Sequence, residues 1–120
     1  MSSAIPTQLD LIGPLQLRVM NHLWKVGSGT VQEVMDALNG GPGAKALAYT
    51  TFLTVMRNLA KRKLLDQRRT ATKRHQFVCA IGEEEYKSAV VKAFFRDYCN
   101  NDAETLHRFL GFNEPKHAVA

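Results

Sequence analysis

Ala48-Tyr49-Thr50-Thr51-Phe52-Leu53-Thr54-Val55-Met56-Arg57-Asn58-Leu59-Ala60-Lys61-Arg62-Lys63-Leu64-Leu65 is the stretch on which the reading of this chain turns. Phe52, Val55, Met56, Leu59 and Ala60 fall at i, i+3, i+4, i+7 and i+8, the apolar stripe of a helix lying on a core. Thr51, Thr54, Asn58 and Lys61 fall on the opposite face, with Thr50 and Arg57 beside them. Hydroxyls, an amide and a guanidinium can all bond base edges and phosphates. Exposed helix faces commonly carry Glu–Lys pairs, yet these eighteen residues contain no carboxylate. The pattern predicts a recognition helix that enters a DNA major groove. A solvated, basic helix face is the competing reading of the stretch taken alone.

The charge supports the first reading. The net charge is +5. Between Arg57 and Arg74 stand eight bases and one acid, Asp66, whereas the residues before are neutral in sum and those after are net negative. Positive charge gathered on one segment that alternates with apolar residues predicts a folded polyanion-binding face, not a basic tail.

A chain of 120 residues predicts one domain with an appendage. No run approaches the roughly 20 apolar residues of a membrane span. The first ten residues lack the basic and apolar regions of a signal peptide. The expectation is a cytoplasmic protein with no membrane partner. Residues 1–12 read as a flexible leader.

Gly13-Pro14 opens a first helix, since proline suits a first helical position. Leu15, Val19, Leu23 and Val26 form its apolar row, widened by Met20 and Trp24, and Gly27-Ser28-Gly29 ends it. Thr30-Val31-Gln32-Glu33 is a capping box that starts a second helix with Val31, Val34, Met35 and Leu38 inward. Its amides and positive dipole end suit a DNA phosphate. A purely structural cap is the alternative. Asn39 to Gly43 reads as a flexible loop. After the third helix the period changes. Residues 65–69 and 74–81, joined by a turn over residues 70–73, predict a two-stranded hairpin with a basic tip. Phe77 and Val78 face opposite ways, so only one of them can face the helices. Three helices and a basic hairpin make a winged helix-turn-helix over residues 13–81.

Gly82 and three glutamates open a last segment with favourable dipole charge. Tyr86, Ala89, Val90, Ala93, Phe94 and Tyr98 repeat at helical spacing. Asn100-Asn101-Asp102 interrupts, and Leu106, Phe109 and Leu110 follow on a shorter helix. This arm, residues 82–111, is too short to bury its apolar residues alone. Packing back on its own wing domain is one reading; pairing with a second copy is the preferred one, and the resulting two-fold suits DNA reading. Residues 112–120 read as a frayed tail. The fold class expected is thus mostly α with a small β-hairpin, a winged helix carrying a helical dimerisation arm.

At this point the residues resemble a known family. Gly13-Pro14-Leu15-Gln16, Val19-Met20 and Leu23-Trp24 resemble the first helix of the penicillinase-repressor (BlaI/MecI/CopY type) regulators. Thr30 to Val34 resembles their second helix, and Leu47 to Thr54 with Leu59 and residues 61–65 their third. The resemblance covers about residues 12–80. It implies bacterial homodimeric repressors of dyad-symmetric operators, with dimerising C-terminal helices and, in some members, release by a regulatory protease. Thr50, Thr51 and Thr54 match DNA-facing threonines, Arg57 and Asn58 the polar pair after them, and Arg74 a basic wing residue. The chain departs from the pattern at Gln16, where glutamate is usual, and at Lys63, where a C-capping glycine is usual. Its arm lacks the Asn-Phe dipeptide cut in antibiotic-responsive relatives. Cys99 stands alone where copper-responsive relatives carry Cys-x-Cys pairs.

The site expectations follow. Thr30, Thr50, Thr51, Thr54, Arg57, Asn58, Lys61, Arg68, Arg69, Lys73 and Arg74 are expected on double-stranded DNA. Tyr86, Ala89, Val90, Ala93, Phe94, Tyr98, Leu106, Phe109 and Leu110 are expected in a homodimer interface. His22, His75, His107, His117, Cys79 and Cys99 show no zinc-site spacing, and no phosphate loop or nucleophile elbow occurs. No enzyme, metal or cofactor is expected. A DNA-binding protein without sequence preference and a winged-helix protein-interaction module are the rival readings.

Overall fold

Proline at the first helical position and a glutamine two residues on start the chain's first helix: the Gly13 amide donates to Gln16 Oε1 at 2.7 Å. Gln16 thereby does what a glutamate would do in the same place. In the computed structural model, which describes residues 12–41, 46–69 and 75–111, eight elements follow one another. They are α1 (Pro14–Val26), β1 (Ser28–Gly29), α2 (Val31–Asn39), α3 (Tyr49–Lys61), β2 (Leu65–Arg69), β3 (His75–Cys79), α4 (Glu83–Cys99) and α5 (Ala103–Leu110). Residues 1–11 of the expected leader, the wing tip and the tail lie outside the described residues; Ile12, also expected in the leader, packs against the core instead.

Val19, Met20 and Leu23 of α1, Val31 and Val34 of α2, and Phe52, Met56 and Leu59 of α3 form one core with Leu64, Leu65, Phe77 and Ile81. Val55 and Ala60 flank it, half-buried. Val26, read from the sequence as part of the α1 row, is 53 % exposed. It is the helix's last residue, before Gly27 turns the chain at φ 97°, and no element covers it. The capping box of α2 forms as its spacing requires. Glu33 N donates to Thr30 Oγ1 at 3.1 Å, and Thr30 N donates to Glu33 Oε1 at 2.9 Å.

The sheet corrects the sequence reading. It has three antiparallel strands in the order β1-β3-β2, not two. Ser28 pairs with Val78 and Gly29 with Phe77. A Cβ on Gly29 would stand 3.4 Å from both Leu23 and Val34, so a small residue lets this strand lie against the helices. Leu65, Gln67 and Arg69 pair with Cys79, Phe77 and His75. These six share one face of the hairpin, because side chains alternate along a strand. Leu65 and Phe77 on that face are buried, so it is the face turned to the helices. Asp66, Arg68, Gln76 and Val78 share the other.

Helix α3 ends in a Schellman motif. Leu64 N donates to Leu59 O and Lys63 N to Ala60 O, both at 3.0 Å. Leu59 and Leu64 then meet in the core. The motif demands a left-handed residue between them, and Lys63 takes it at φ 67°. The departure from glycine noted in the sequence is therefore accommodated by strain, not by a different helix end.

The arm joins the domain at one junction. Trp24 Nε1 donates to the Ile81 carbonyl at 2.9 Å, and the Trp24 ring lies 5.9 Å from that of Tyr86. Lys87 Nζ stands 5.2 Å from the Trp24 ring centroid and bonds both Asn21 Oδ1 and Glu83 Oε2 at 2.8 Å. Tyr86 and Ala93, expected between subunits, are instead buried by the chain itself. Tyr86 belongs to the domain core, since it sits in the first turn of α4, where the arm still touches α1. Asn100 and Asn101, both at positive φ, turn the chain back. Asp102 caps α5 by accepting from the amide and hydroxyl of Thr105 at 3.1 and 2.6 Å.

Replacing Lys63 by glycine removes the left-handed strain and is expected to stabilise the fold by about 1 kcal/mol. Urea unfolding of the two proteins measures it. A lower midpoint for Lys63→Gly would show that Lys63 is not strained.

Candidate nucleic-acid interface

Burial of one side of α3 leaves the other side to solvent. Thr50, Thr54, Arg57, Asn58 and Lys61 are exposed, and Thr51 is half-buried. They line a helix of 13 residues, about 20 Å long, of a diameter that a major groove of roughly 12 Å admits. No acid stands in its first turn, and no side chain caps its N-terminus. Helix α4, by contrast, has Glu83, Glu84 and Glu85 in its first turn. The positive end of the α3 dipole is thus left for an external anion.

A residue missed by sequence reasoning sets how α3 is presented. Asn39, the last residue of α2, donates from Nδ2 to the Leu47 carbonyl at 2.9 Å and accepts from the Leu47 amide on Oδ1 at 3.0 Å. A side-chain amide thus pairs with a peptide as a strand would, and fastens the two ends of the inter-helix connection. The asparagine was visible only as part of a glycine-rich turn, and its partner eight residues on carries no sequence signal.

The wing divides the bases expected there. Arg69 lies on the hairpin face turned to the helices, and Arg68 on the other face, 3.4 Å from Asp66. Both are exposed. They therefore leave the hairpin on opposite faces, although they are adjacent in sequence. Lys73 and Arg74 lie outside the described residues.

Between α2, α3 and the wing opens a recess of about 520 Å³. Val31, Leu53 and Phe77 form its apolar floor. Thr30, Gln32, Tyr49, Arg57, Gln67 and His75 supply polar atoms around it. Of these, only Thr30 and Arg57 were expected on DNA from the sequence, because the recess assembles from segments far apart in the chain.

Burial pushes the Cys79 thiol up to about 11, so it is protonated at neutral pH and a poor nucleophile. Cys99 is free and buried. No group of three metal-ligating side chains occurs among the described residues, and no helix among them is long and apolar enough to cross a membrane.

The model of the penicillinase repressor family matches residues 12–113. The chain belongs to this family. Two curated relatives are named "Transcriptional regulator BlaI", one from Mycobacterium tuberculosis strain CDC 1551 / Oshkosh and one from strain ATCC 25618 / H37Rv. Each is 37 % identical over 79 residues, which are 65 % of this chain and 54 % of the relative. The match thus spans about half the length of these relatives. A solved structure described as reduced AbfR bound to DNA superposes with a TM-score of 0.51 at 18 % identity, covering 91 % of this chain and 76 % of that one. At that identity the likeness concerns the fold, and it agrees with the winged helix read from the sequence. The family and the relatives carry names of regulators and not of enzymes, as the sequence reading expected.

Two substitutions test this geometry. Asn39→Ala leaves the Leu47 peptide without both bonds and is expected to lower stability by about 1–3 kcal/mol, read by thermal unfolding. An unchanged midpoint would show that the pair does not hold the connection. Thr54→Ala should lower affinity at a single base pair by about 1–3 kcal/mol, measured with duplexes varied one position at a time. Equal weakening on all duplexes would remove Thr54 from the base-reading face.

Proposed function

We propose that this member of the penicillinase repressor family is a sequence-specific transcriptional repressor that binds double-stranded DNA as a homodimer on a dyad-symmetric operator. The observation that carries the reading is the exposed, carboxylate-free face of α3, backed by Phe52, Met56 and Leu59 buried on the opposite side. A helix so placed can bring hydroxyl, amide and guanidinium groups to base edges while the core keeps it rigid. Thr50, Thr51, Thr54, Arg57 and Asn58 serve base edges and nearby phosphates. Lys61, Arg68, Arg69, Lys73 and Arg74 serve the backbone, and Thr30 holds a phosphate at the start of α2.

The arm supports the homodimer. Val91, Tyr98, Phe109 and Leu110 are 55–60 % exposed, which is more large apolar surface than two short helices ordinarily leave in water. Phe94 stacks on Tyr98 with ring centroids 5.2 Å apart, so the pair already stands as a ready-formed plate. Of the arm residues expected there, Val90 packs against the domain core and Ala89 lies on the side of α4 away from Tyr98. A second arm laid on this surface covers Phe94, Tyr98, Leu106, Phe109 and Leu110. It also covers Val91, which the sequence reading did not include. Release by a regulatory protease, which the resemblance implies for some members only, would require a cleavage sequence other than Asn-Phe, absent from the arm.

Fluorescence anisotropy tests the reading, with labelled DNA from upstream of the protein's own gene beside a scrambled duplex. The expected preference for the upstream DNA is about 10³-fold or more. Equal binding with a steep salt dependence would leave only a basic face. Sedimentation tests the arm: the protein is expected to be dimeric, and Phe109→Glu to shift it toward monomer with unchanged helical content. A dimer that persists in Phe109→Glu and in Tyr98→Glu would place the interface elsewhere.

A further inference from the structure

The first turns of α4 hold the arm to the domain. Tyr86 lies in the core and Val90 packs against it. Lys87, half-buried, closes the contact from outside. Its ammonium lies 5.2 Å from the Trp24 ring centroid and donates to Asn21 Oδ1 and Glu83 Oε2 at 2.8 Å each. Glu83 stands one turn earlier on the same helix, so its bond orients Lys87 without attaching the arm. Asn21 and Trp24 belong to α1, at i and i+3 of one helix face, and they carry the attachment. Trp24 also fixes the other end of the link. Its indole N–H bonds the Ile81 carbonyl, and only Gly82 separates Ile81 from α4. Lys87 further opens the row Lys87, Val91, Phe94, Tyr98, spaced i, i+4, i+7 and i+11 along one side of α4. The surface proposed for the second arm thus begins at this clamp.

We propose that Lys87, clamped on Trp24 and Asn21, is a positioning residue that selects the spacing of operator half-sites by fixing the angle at which the arm leaves the domain. The lever is long. Helix α4 has 17 residues, so it extends about 25 Å, and a tilt of about 10° at its base moves the far end by about 4 Å. One base pair advances the duplex by about 3.4 Å. A small change of angle is therefore worth a whole base pair of spacing. An isolated surface ion pair is too weak and too mobile to hold such an angle. Here the ammonium is stacked on a ring as well as bonded across the junction, and the ring is itself tied to Ile81, so each contact restrains the next. The inference rests on the homodimer reading and deepens it: the arm joins two copies and also measures the distance between them.

The full chain and its Lys87→Met, Lys87→Arg and Trp24→Phe variants are titrated by fluorescence anisotropy against the upstream DNA, against the same DNA with one or two base pairs added or removed at its dyad centre, and against a duplex that keeps one half of it. The parent is expected to lose affinity about tenfold for each base pair of altered spacing, since the DNA must then bend or twist to fit. Lys87→Met keeps the aliphatic stem but loses the charge and both bonds. It is expected to reduce that penalty to about threefold, with binding to the single half unchanged. Trp24→Phe is expected to act likewise, and Lys87→Arg to keep most of the discrimination. Thermal unfolding and sedimentation show that the variants are folded and dimeric. A full spacing penalty in folded Lys87→Met overturns the inference. So does an equal loss on the single half, which a merely structural role would produce. A parent that is monomeric, or indifferent to the dyad, overturns the dimer reading and the inference with it, a result distinct from a dimer that ignores Lys87.

Discussion

Phe52, Met56 and Leu59 are withdrawn from water along one side of α3, and what the helix can offer another molecule follows from which side is left. Burying side chains of this size contributes about 1.5–3 kcal/mol each, more than any exposed polar pair on the same helix can return. The hydrophobic term therefore fixes the rotation of α3 about its axis. Thr54, Asn58 and Lys61 are outward because the core has claimed the other face. Asn39, holding the Leu47 peptide, and the Leu64–Leu59 bond then fix the two ends of the helix. A reading surface has to be rigid before it is selective, and these constraints supply the rigidity without using a residue that faces outward.

The same logic links the domain to its arm. Trp24 lies between the two: its indole N–H reaches the end of the wing and its ring faces Tyr86 and Lys87. The direction in which α4 leaves the domain is thus set by an aromatic contact at the base of α1. In a dimer joined through the arms, this junction sets the separation and angle of the two α3 helices. In the proposed dimer, the spacing of half-sites it could bind would then depend on Trp24 and Tyr86.

Much of this was legible in the sequence, for reasons that differ from element to element. The capping box at Thr30 and Glu33 is a local motif whose spacing alone dictates its bonds, and it forms as read. The α3 stripe is a 3.6-residue period and survives folding intact, with Phe52 and Met56 buried and Thr54 out. Lys63 was visible as a residue at odds with its position, and the strain is real. Other features depend on parts that are distant in the chain. The strand Ser28–Gly29 is too short to show alternation, and its partner lies some fifty residues on. The Asn39–Leu47 pair and the recess behind Arg57 exist only where separate segments meet. Tyr86 fits the period of the arm as well as any interface residue, yet it turns to Trp24 because the arm begins against α1. Periodicity says which residues share a face, and only the fold says what covers it.

We propose that DNA meets the outer face of α3, with the start of α2 and the wing. Titration of isotope-labelled protein with a short duplex, followed by backbone amide NMR, tests it most directly. The largest shifts are expected on Thr50, Thr51, Thr54, Arg57 and Asn58, with further shifts at Thr30, Gln67 and His75. Small shifts are expected along the exposed side of α1 at Arg18 and Lys25. Shifts concentrated on α1 or on the arm, with α3 unmoved, would contradict it.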